Sequence, residues 1–486
     1  MSVAIKGIEP KRVWEYFAEI SKIPRCSKNE AKISKYVVDK AKKLGLEAET
    51  DKLGNVVVRK PGSKGHKRAA SICLQGHLDM VCEKNKDTKH DFTKDPIKIV
   101  RDGNLLKADG TTLGADNGIA IAMSLAIMED KKLEHGPLEF LFTVDEETGL
   151  IGASSLGNDF LVSKTMINVD SEEEGALYVG CAGGEDTLGI WKAAYDPAPK
   201  TAMVAELKVT GLRGGHSGLE IHTGRGNAVK IINRVLMGLA DLGARVARID
   251  GGDKHNAIPR EADARVFIPE DSMKDAKALV KKFNKTIKAE LKTVEKDLAI
   301  TLEELPNVRR GKVFKRALQK KILRTISAMP HGVIKMSADI EDLVETSTNL
   351  AAIKTTPKAV RIATSQRSSV DSEIIEICQT VASIFDLGGA EVEEGGGYPG
   401  WKPNLRSKIL RVAKSTYKKL YGENPEVKAI HAGLECGIIG AKYPGMDMVS
   451  LGPNLADVHS PDERIEIESV KNVWEYLLAI LKNAAK

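Results

Sequence analysis

Ala69-Ala70-Ser71-Ile72-Cys73-Leu74-Gln75-Gly76-His77-Leu78-Asp79 opens on a short apolar run and closes on an imidazole and a carboxylate. A run of that length bounded by turn residues reads as a buried strand, which puts His77 and Asp79 at its C-terminal end. The arrangement recurs twice. Leu138 to Val144 is a second apolar run, ending in Asp145-Glu146-Glu147, and Thr165 to Val169 is a third, ending in Asp170. Between the first two runs, Gly114-Ala115-Asp116-Asn117-Gly118 opens an apolar helix over Ile119 to Met128. In open α/β sheets, ligands gather beyond the carboxyl ends of the strands. Three strands delivering His, Asp and Glu to one edge therefore predict an α/β fold with a single site.

Upstream, Ser27 with Glu30 has the spacing of a capping box, opening a helix that stops at Gly45. Asp51 to Asn55 reads as a turn between short strands. Downstream the texture changes near Gly180-Cys181-Ala182-Gly183-Gly184. A strand (Ala202 to Val209), a helix (Gly226 to Leu242), strands over Arg245 to Ile249 and Asn256 to Ile268, and a long polar helix follow. A second round has a helix after Gly311, strands over Val344 to Lys354 and Lys358 to Thr364, and a helix after Asp371. This βαβ-like texture occurs twice, so a doubled unit is expected. Gly395-Gly396-Gly397-Tyr398-Pro399-Gly400 reads as the return linker, and Glu468 to Leu481 as a final amphipathic helix. The chain has 486 residues, more than one typical core accommodates. The expectation is a discontinuous α/β domain, 1–185 with 400–486, in which helices sandwich a mixed sheet, and an inserted α+β domain, 186–399.

Charge and cysteines exclude several classes. The net charge is +6, but the Lys-rich stretch from Lys274 to Lys296 also holds Asp275, Glu290 and Glu295 at helical spacing, as a solvated helix face does. No aromatic stacking platform accompanies it, so no nucleic-acid partner is expected. The six cysteines are scattered without a C-x-x-C pair, which argues against a disulfide framework and fits a reducing cytoplasm. Met1 to Pro10 has no apolar signal region, and the longest apolar runs fall short of a membrane span.

His77, Asp116, Glu147, Asp170 and His459 form a possible ligand set. Zinc takes imidazole and carboxylate donors and keeps a position open in catalytic sites. Two ions about 3.5–4 Å apart need a shared anionic bridge and terminal ligands on each side; one Asp, two His and two further carboxylates meet that count. Taken singly, each residue has an ordinary reading: a lone His is more often structural, Asp116 could cap its helix, and Glu146-Glu147 could be surface. Their convergence at element ends, amid glycine turns, favours the site.

The motifs Leu74-Gln75-Gly76-His77-Leu78-Asp79-Met80-Val81, Thr112-Leu113-Gly114-Ala115-Asp116-Asn117-Gly118, Val144-Asp145-Glu146-Glu147-Thr148-Gly149 and Asn168-Val169-Asp170-Ser171-Glu172-Glu173-Glu174-Gly175 together resemble the co-catalytic zinc peptidase family of aminoacylases, glutamate-removing carboxypeptidases and cytosolic dipeptidases. Gly214-Gly215-His216-Ser217-Gly218, His431-Ala432-Gly433-Leu434-Glu435-Cys436-Gly437 and His459-Ser460-Pro461-Asp462-Glu463 extend the resemblance over essentially the whole chain. It implies two zinc ions, with Mn²⁺ or Co²⁺ as possible substitutes. His77 and Asp170 would hold one, Glu147 and His459 the other, and Asp116 would bridge them across a cis Asp116–Asn117 peptide. Asp79 would orient His77, and Glu146 would be the general base. Such a site suits amide hydrolysis, which needs a nucleophile deprotonated near neutral pH and stabilisation of the tetrahedral oxyanion.

The inserted domain would then act as a lid. The resemblance implies that His216 and Asn256 contact the substrate and that Arg367 grips its carboxylate in a bidentate fork. Glu435 would either meet the substrate's amino end or simply start a helix. Asp rather than Glu at position 170 is the family's mark of aminopeptidase- and dipeptidase-type members. The implied substrate is a small dipeptide, Xaa-His and carnosine-like ones included, and a homodimer through the lid is possible, with His216 acting in cis or in trans. The rival readings are an N-acyl-amino-acid deacylase or other exopeptidase, and a metal-binding protein without catalysis.

Overall fold

The stretch 69–79, which opens on the apolar run Ala69 to Leu74, forms the strand Ile72–His77, buried along its whole length. The computed structural model describes residues 3–308 and 311–486. The fold is mixed α/β, and the chain divides into two units. One holds the residues up to Cys181 with Trp401–Ala429 and Leu434–Lys486; the other holds Ala182–Gly400 with Ile430–Gly433.

In the first unit, an eight-stranded sheet runs in the order Glu47–Thr50, Val56–Lys60, Leu138–Thr143, Ile72–His77, Thr165–Asn168, Asp447–Ser450, Ala176–Cys181, Glu426–Ile430. Ile72–His77 is parallel to both Leu138–Thr143 and Thr165–Asn168. These are the three strands singled out in the sequence, so their carboxyl ends share one edge. His77 pairs with Thr143 and Gln75 with Asn168, which sets the three ends nearly level. The connecting helix, Ala115–Glu129, is buried at almost every position, as a helix that is apolar all round must be. It packs on Lys11–Ile20 and on Ile72–His77.

The second unit has a nine-stranded sheet in which Gly183–Lys192 lies between Ala359–Ser368 and Glu391–Tyr398. Along Ala202–Thr210 the residues Ala205, Leu207 and Val209 enter the core, while Glu206 on the alternate face pairs with Arg248 and Arg265, the period of two a half-covered strand requires. Both rounds of strands and helices share this core. They meet at a thin seam, where Arg245–Gly251 pairs with Val344–Thr355 through Gly251 and Ile353.

Four local expectations change. Ser27 does not cap the helix Ala31–Lys43, whose N-cap Glu30 makes no side-chain cap; its hydroxyl donates instead to Asp79 Oδ2 at 2.8 Å. The stretch from Asn256 to Ile268 splits into Ala257–Ile258 and Ala262–Pro269 around Pro259, which has no N–H to give a ladder. Gly395 to Tyr398 lies in an edge strand of the second unit rather than in a free linker. Finally, Cys26 and Cys82 form a disulfide, with Cα atoms 5.7 Å apart. Their separation of 56 residues concealed a pairing that the fold creates, since Cys26 bridges to Met80 beside the strand end.

Cys73, Cys181, Cys378 and Cys436 are free and buried. Denatured without reductant, the protein should therefore expose four titratable thiols, and six after reduction; six in both states would remove the bridge. Closing a loop of this length should stabilise the first unit by about 2–4 kcal/mol, read as a lower urea midpoint for Cys26→Ser.

Candidate metal centre

Helix Ala115–Glu129 crosses so close to strand Ile72–His77 that a side chain at Gly76 would run into Asn117 Oδ1 and the Ala120 Cβ. The close approach lets Asn117 bind two strands: its Oδ1 accepts from the His77 N–H (3.2 Å), and its Nδ2 donates to the Val169 carbonyl (2.7 Å). The Asp116–Asn117 peptide is cis. Asp116 lies between two histidines. Its Oδ1 is 3.0 Å from His77 Nε2 and its Oδ2 is 3.1 Å from His459 Nε2. His77 Nε2 lies 3.5 Å from Asp170, and His459 Nε2 lies 3.0 Å from Glu147.

The five side chains thus form two groups, His77–Asp116–Asp170 and Asp116–Glu147–His459, each with ligand atoms within 4.8 Å of one another and Asp116 common to both. Glu146 falls in a further group with His77 and Glu147. This donor set suits a pair of divalent cations. Glu147 Oε1 is buried without a hydrogen-bond partner, a cost that a bound cation would remove.

Asp79 does more than face the imidazole. It is fully buried, and its Oδ1 lies 3.3 Å from His77 Nδ1. Its two oxygens also accept from the Glu146 N–H (3.1 Å) and the Glu147 N–H (3.2 Å). One carboxylate thus fixes the histidine and the turn carrying the two glutamates. Behind it, Glu30 accepts from the Asp145 N–H at 3.0 Å, where Asp145 has a positive φ of 50°. Arg25, which the sequence reading passed over, is buried and donates to the carbonyls of Leu78 (3.0 Å), Asp79 (2.7 Å) and Gly114. No local motif marks it, because its partners lie 53 to 89 residues away. Glu435 is also buried; Gln75 and Thr143 donate to its Oε2 at 2.5 and 2.7 Å.

So many carboxylates in one place disturb their protonation. Burial pushes Asp170 up to about 6, with Asp116 and Glu147 adding to the rise. Glu172 rises to about 7 through burial and the charges of Asp116 and Asp170. Glu146 is pushed well up by burial, against the pull of His77. Asp79 is held down at about 2: burial opposes this, but His77 and the N–H of Glu146 stabilise its charge. Hydrogen bonding to Asp116 and Glu147 lifts His459 to about 11. Burial works against the protonation of His77, yet Asp170 and Asp116 raise it well above the imidazole range.

His216, Asn256 and Arg367 belong to the second unit. The short ladder Gly215–His216 against Ala257–Ile258 sets His216 beside Asn256, whose carbonyl accepts from the Ser217 N–H at 2.9 Å. His216 Nδ1 accepts the N–H groups of Gly218 and Leu219 at 3.2 and 3.1 Å. The ring proton is thus assigned to Nε2. Burial, then the charge of Arg367, lowers His216 to about 4. His431 lies in the same unit, 2.7 Å from Ser347 Oγ, and burial and Arg367 lower it to about 3. Arg367 is buried; it donates to the Tyr398 hydroxyl at 2.8 Å, and its Nε has no partner.

Residues 73–483 match Peptidase family M20/M25/M40, and the chain belongs to that family. It is 42% identical over 479 residues to the cytosol non-specific dipeptidase of Escherichia coli, covering 98% of each chain. The crystal structure of aminoacylhistidine dipeptidase from Vibrio alginolyticus superposes with a TM-score of 0.89 at 40% identity, covering 98% of this chain and 97% of that one. Aminopeptidase PepT from Bacillus cereus shares the fold, with a TM-score of 0.58 at 19% identity over 99% and 100% of the two chains.

Divalent ions bind neutral imidazole, so loading the metal-free protein must displace protons from His77 and His459. His77 is raised well above the ordinary imidazole value and His459 to about 11, so apparent metal affinity should rise with pH across 6–8. Calorimetric titration in buffers of different ionisation enthalpy should register proton release near pH 7. Affinity that is flat with pH would contradict the ligand set.

Proposed function

We propose that the protein hydrolyses dipeptides at a dinuclear metal centre, with His77 and Asp170 on one ion, Glu147 and His459 on the other, and Asp116 between them. The observation that carries this reading is the placement of the two Asp116 oxygens against two different histidines. The likeness to two dipeptidases over nearly the whole chain supports the substrate class. Zinc is the proposed metal, with manganese and cobalt as alternatives that the same donors tolerate. The proposed compartment is the cytoplasm, by likeness to the Escherichia coli enzyme; no helix among the described residues is long and apolar enough to cross a membrane.

Two divalent ions held by these residues would supply a nucleophile deprotonated near neutral pH and a Lewis acid for the scissile carbonyl. The side chains do the rest. Glu146 takes a proton from the attacking water and returns it to the leaving amine. Its elevated proton affinity suits a group that must hold a proton between the two transfers. Asp79 keeps His77 and the Glu146 backbone in register through its Oδ1, while its Oδ2 holds the Glu147 N–H. The second unit serves as the lid. Arg367 binds the dipeptide carboxylate, and the Nε2–H of neutral His216, with Asn256, donates to the substrate's oxygens. Clamping both substrate ends measures length, which selects dipeptides over longer chains. Xaa-His dipeptides, carnosine-like ones included, are the proposed preference, and a homodimer through the lid is the proposed assembly.

Glu146→Ala should keep two bound ions by elemental analysis while kcat drops about 10²–10⁴-fold; undiminished turnover would overturn the assignment. Arg367→Ala should raise KM for an Xaa-His dipeptide about 10–100-fold, the worth of a lost charged hydrogen bond. Activity confined to N-acetyl amino acids, with none on unblocked dipeptides, would replace the dipeptidase by a deacylase.

A further inference from the structure

His459 stands at the tip of a hairpin in which Ala456 pairs with Arg464. The second arm, Arg464–Glu466, continues the ladder onto Leu105–Ala108, which leads towards the Asp116 turn. The tip is irregular: Asp457 and His459 both have positive φ, 52° and 61°, and the His459 side chain is 50% exposed. Glu463, four residues on, is only 2% exposed. Its Oε2 accepts from the N–H groups of Leu113 (2.7 Å) and Gly114 (2.9 Å), and its Oε1 from those of Ala115 (2.7 Å) and Asp116 (3.3 Å).

One carboxylate thus gathers four consecutive amides of the turn that delivers Asp116. That turn does not hold itself. Gly114 has a φ of 68°, and Asp116 and Asn117 depart from helical dihedrals. The first amides of a helix have no partners within it, and a negative charge is favoured at that end. Arg25 closes the arrangement from the other side: it donates to the Gly114, Leu78 and Asp79 carbonyls, and Glu463 is its strongest favourable electrostatic neighbour.

We infer that Glu463 is a positioning residue that locks the His459 hairpin to the Asp116 turn and so sets the spacing of Asp116, Glu147 and His459. The inference rests on the dinuclear reading above. It assigns Glu463 a task that neither a surface turn nor a simple helix cap has, because the residue joins two ligand-bearing segments 343 residues apart.

The test compares wild type with Glu463→Gln, which keeps the shape but turns an NH₂ towards two of the four amides. Cobalt and zinc are titrated into each metal-free protein in competition with a chromophoric chelator, and the Co²⁺ absorption spectrum and dipeptide kinetics are recorded. Expected are two ions in wild type and, in E463Q, about 10–100-fold weaker binding of one ion, an altered spectrum for that ion alone, and a lower kcat at little-changed KM. Ile480→Ala, which removes a buried side chain of the last helix, controls for general destabilisation and should keep both affinities. If E463Q does not accumulate folded, E463D is read in the same way. Unchanged affinities and spectrum, or the same loss in Ile480→Ala, would overturn the role of Glu463. Fewer than two ions in wild type would instead overturn the dinuclear reading.

Discussion

Asp116 has to show one oxygen to each of two histidines that arrive from opposite parts of the chain, and most of the first unit's architecture answers that requirement. His77 comes on a central parallel strand. His459 comes on a hairpin tip near the C-terminal end. Asp116 itself sits on a turn whose backbone is neither strand nor regular helix. The site concentrates buried carboxylates, and burial first, then the neighbouring carboxylates, raises the proton affinities of Asp170, Glu172 and Glu146. Geometry of this kind survives only if the backbone is tied down at many points. Asn117, Asp79, Arg25 and Glu463 are those ties, and each binds backbone groups rather than side chains alone.

The division of labour explains what could be read in advance. The strands ending at His77, Thr143 and Asn168 were legible because fully buried parallel strands are apolar runs, and the chemistry-bearing groups follow directly at their ends. The boundaries moved by a few residues, and His77 proved to lie within its strand rather than after it. Apart from Asp79, whose orienting role the resemblance implied, the supporting residues were not legible. Ser27 and Glu30 have capping-box spacing, yet both are drawn into side-chain contacts with the site, Ser27 to Asp79 and Glu30 to the Asp145 amide. Local propensity yielded here to longer-range hydrogen bonds. Arg25 and Cys26 act on partners far along the chain, which no window of sequence reveals. Glu463 had a faint signal: it is a carboxylate just beyond a motif His, placed where an irregular helix start elsewhere needs acceptors.

The disulfide belongs to the same scaffold. Cys26 lies between Arg25 and Ser27, and Cys82 follows Asp79 and Met80, the latter in a bridge to Cys26. The covalent tie therefore closes the loop whose two neighbouring residues hold the Leu78 and Asp79 carbonyls and the Asp79 carboxylate. Cytosolic disulfides are uncommon in mesophiles, which sets this bridge against the proposed compartment. The hydrogen bonds of Arg25 and Ser27 do not depend on the sulfurs, so the loop retains its own non-covalent attachment in either redox state. The bridge then acts chiefly on the unfolded chain, and the site's geometry rests on the polar contacts.

In the second unit the physics runs the other way. Where the first unit crowds anions, the second sets a buried guanidinium among imidazoles that burial and that same charge keep neutral. No carboxylate among the described residues pairs with Arg367, and one of its nitrogens has no acceptor. An unpaired buried cation is costly, and the cost is offset when an anionic ligand arrives. Neutral His216 adds an N–H donor without adding a second charge, so a single carboxylate balances the set. The proposed cleavage chemistry and the proposed choice of substrate thus draw on opposite electrostatics. In the proposed reading, the metal motifs point to the reaction while the substrate's form rests on residues such as Arg367, for which a buried, unpaired setting adds a physical reason to the resemblance.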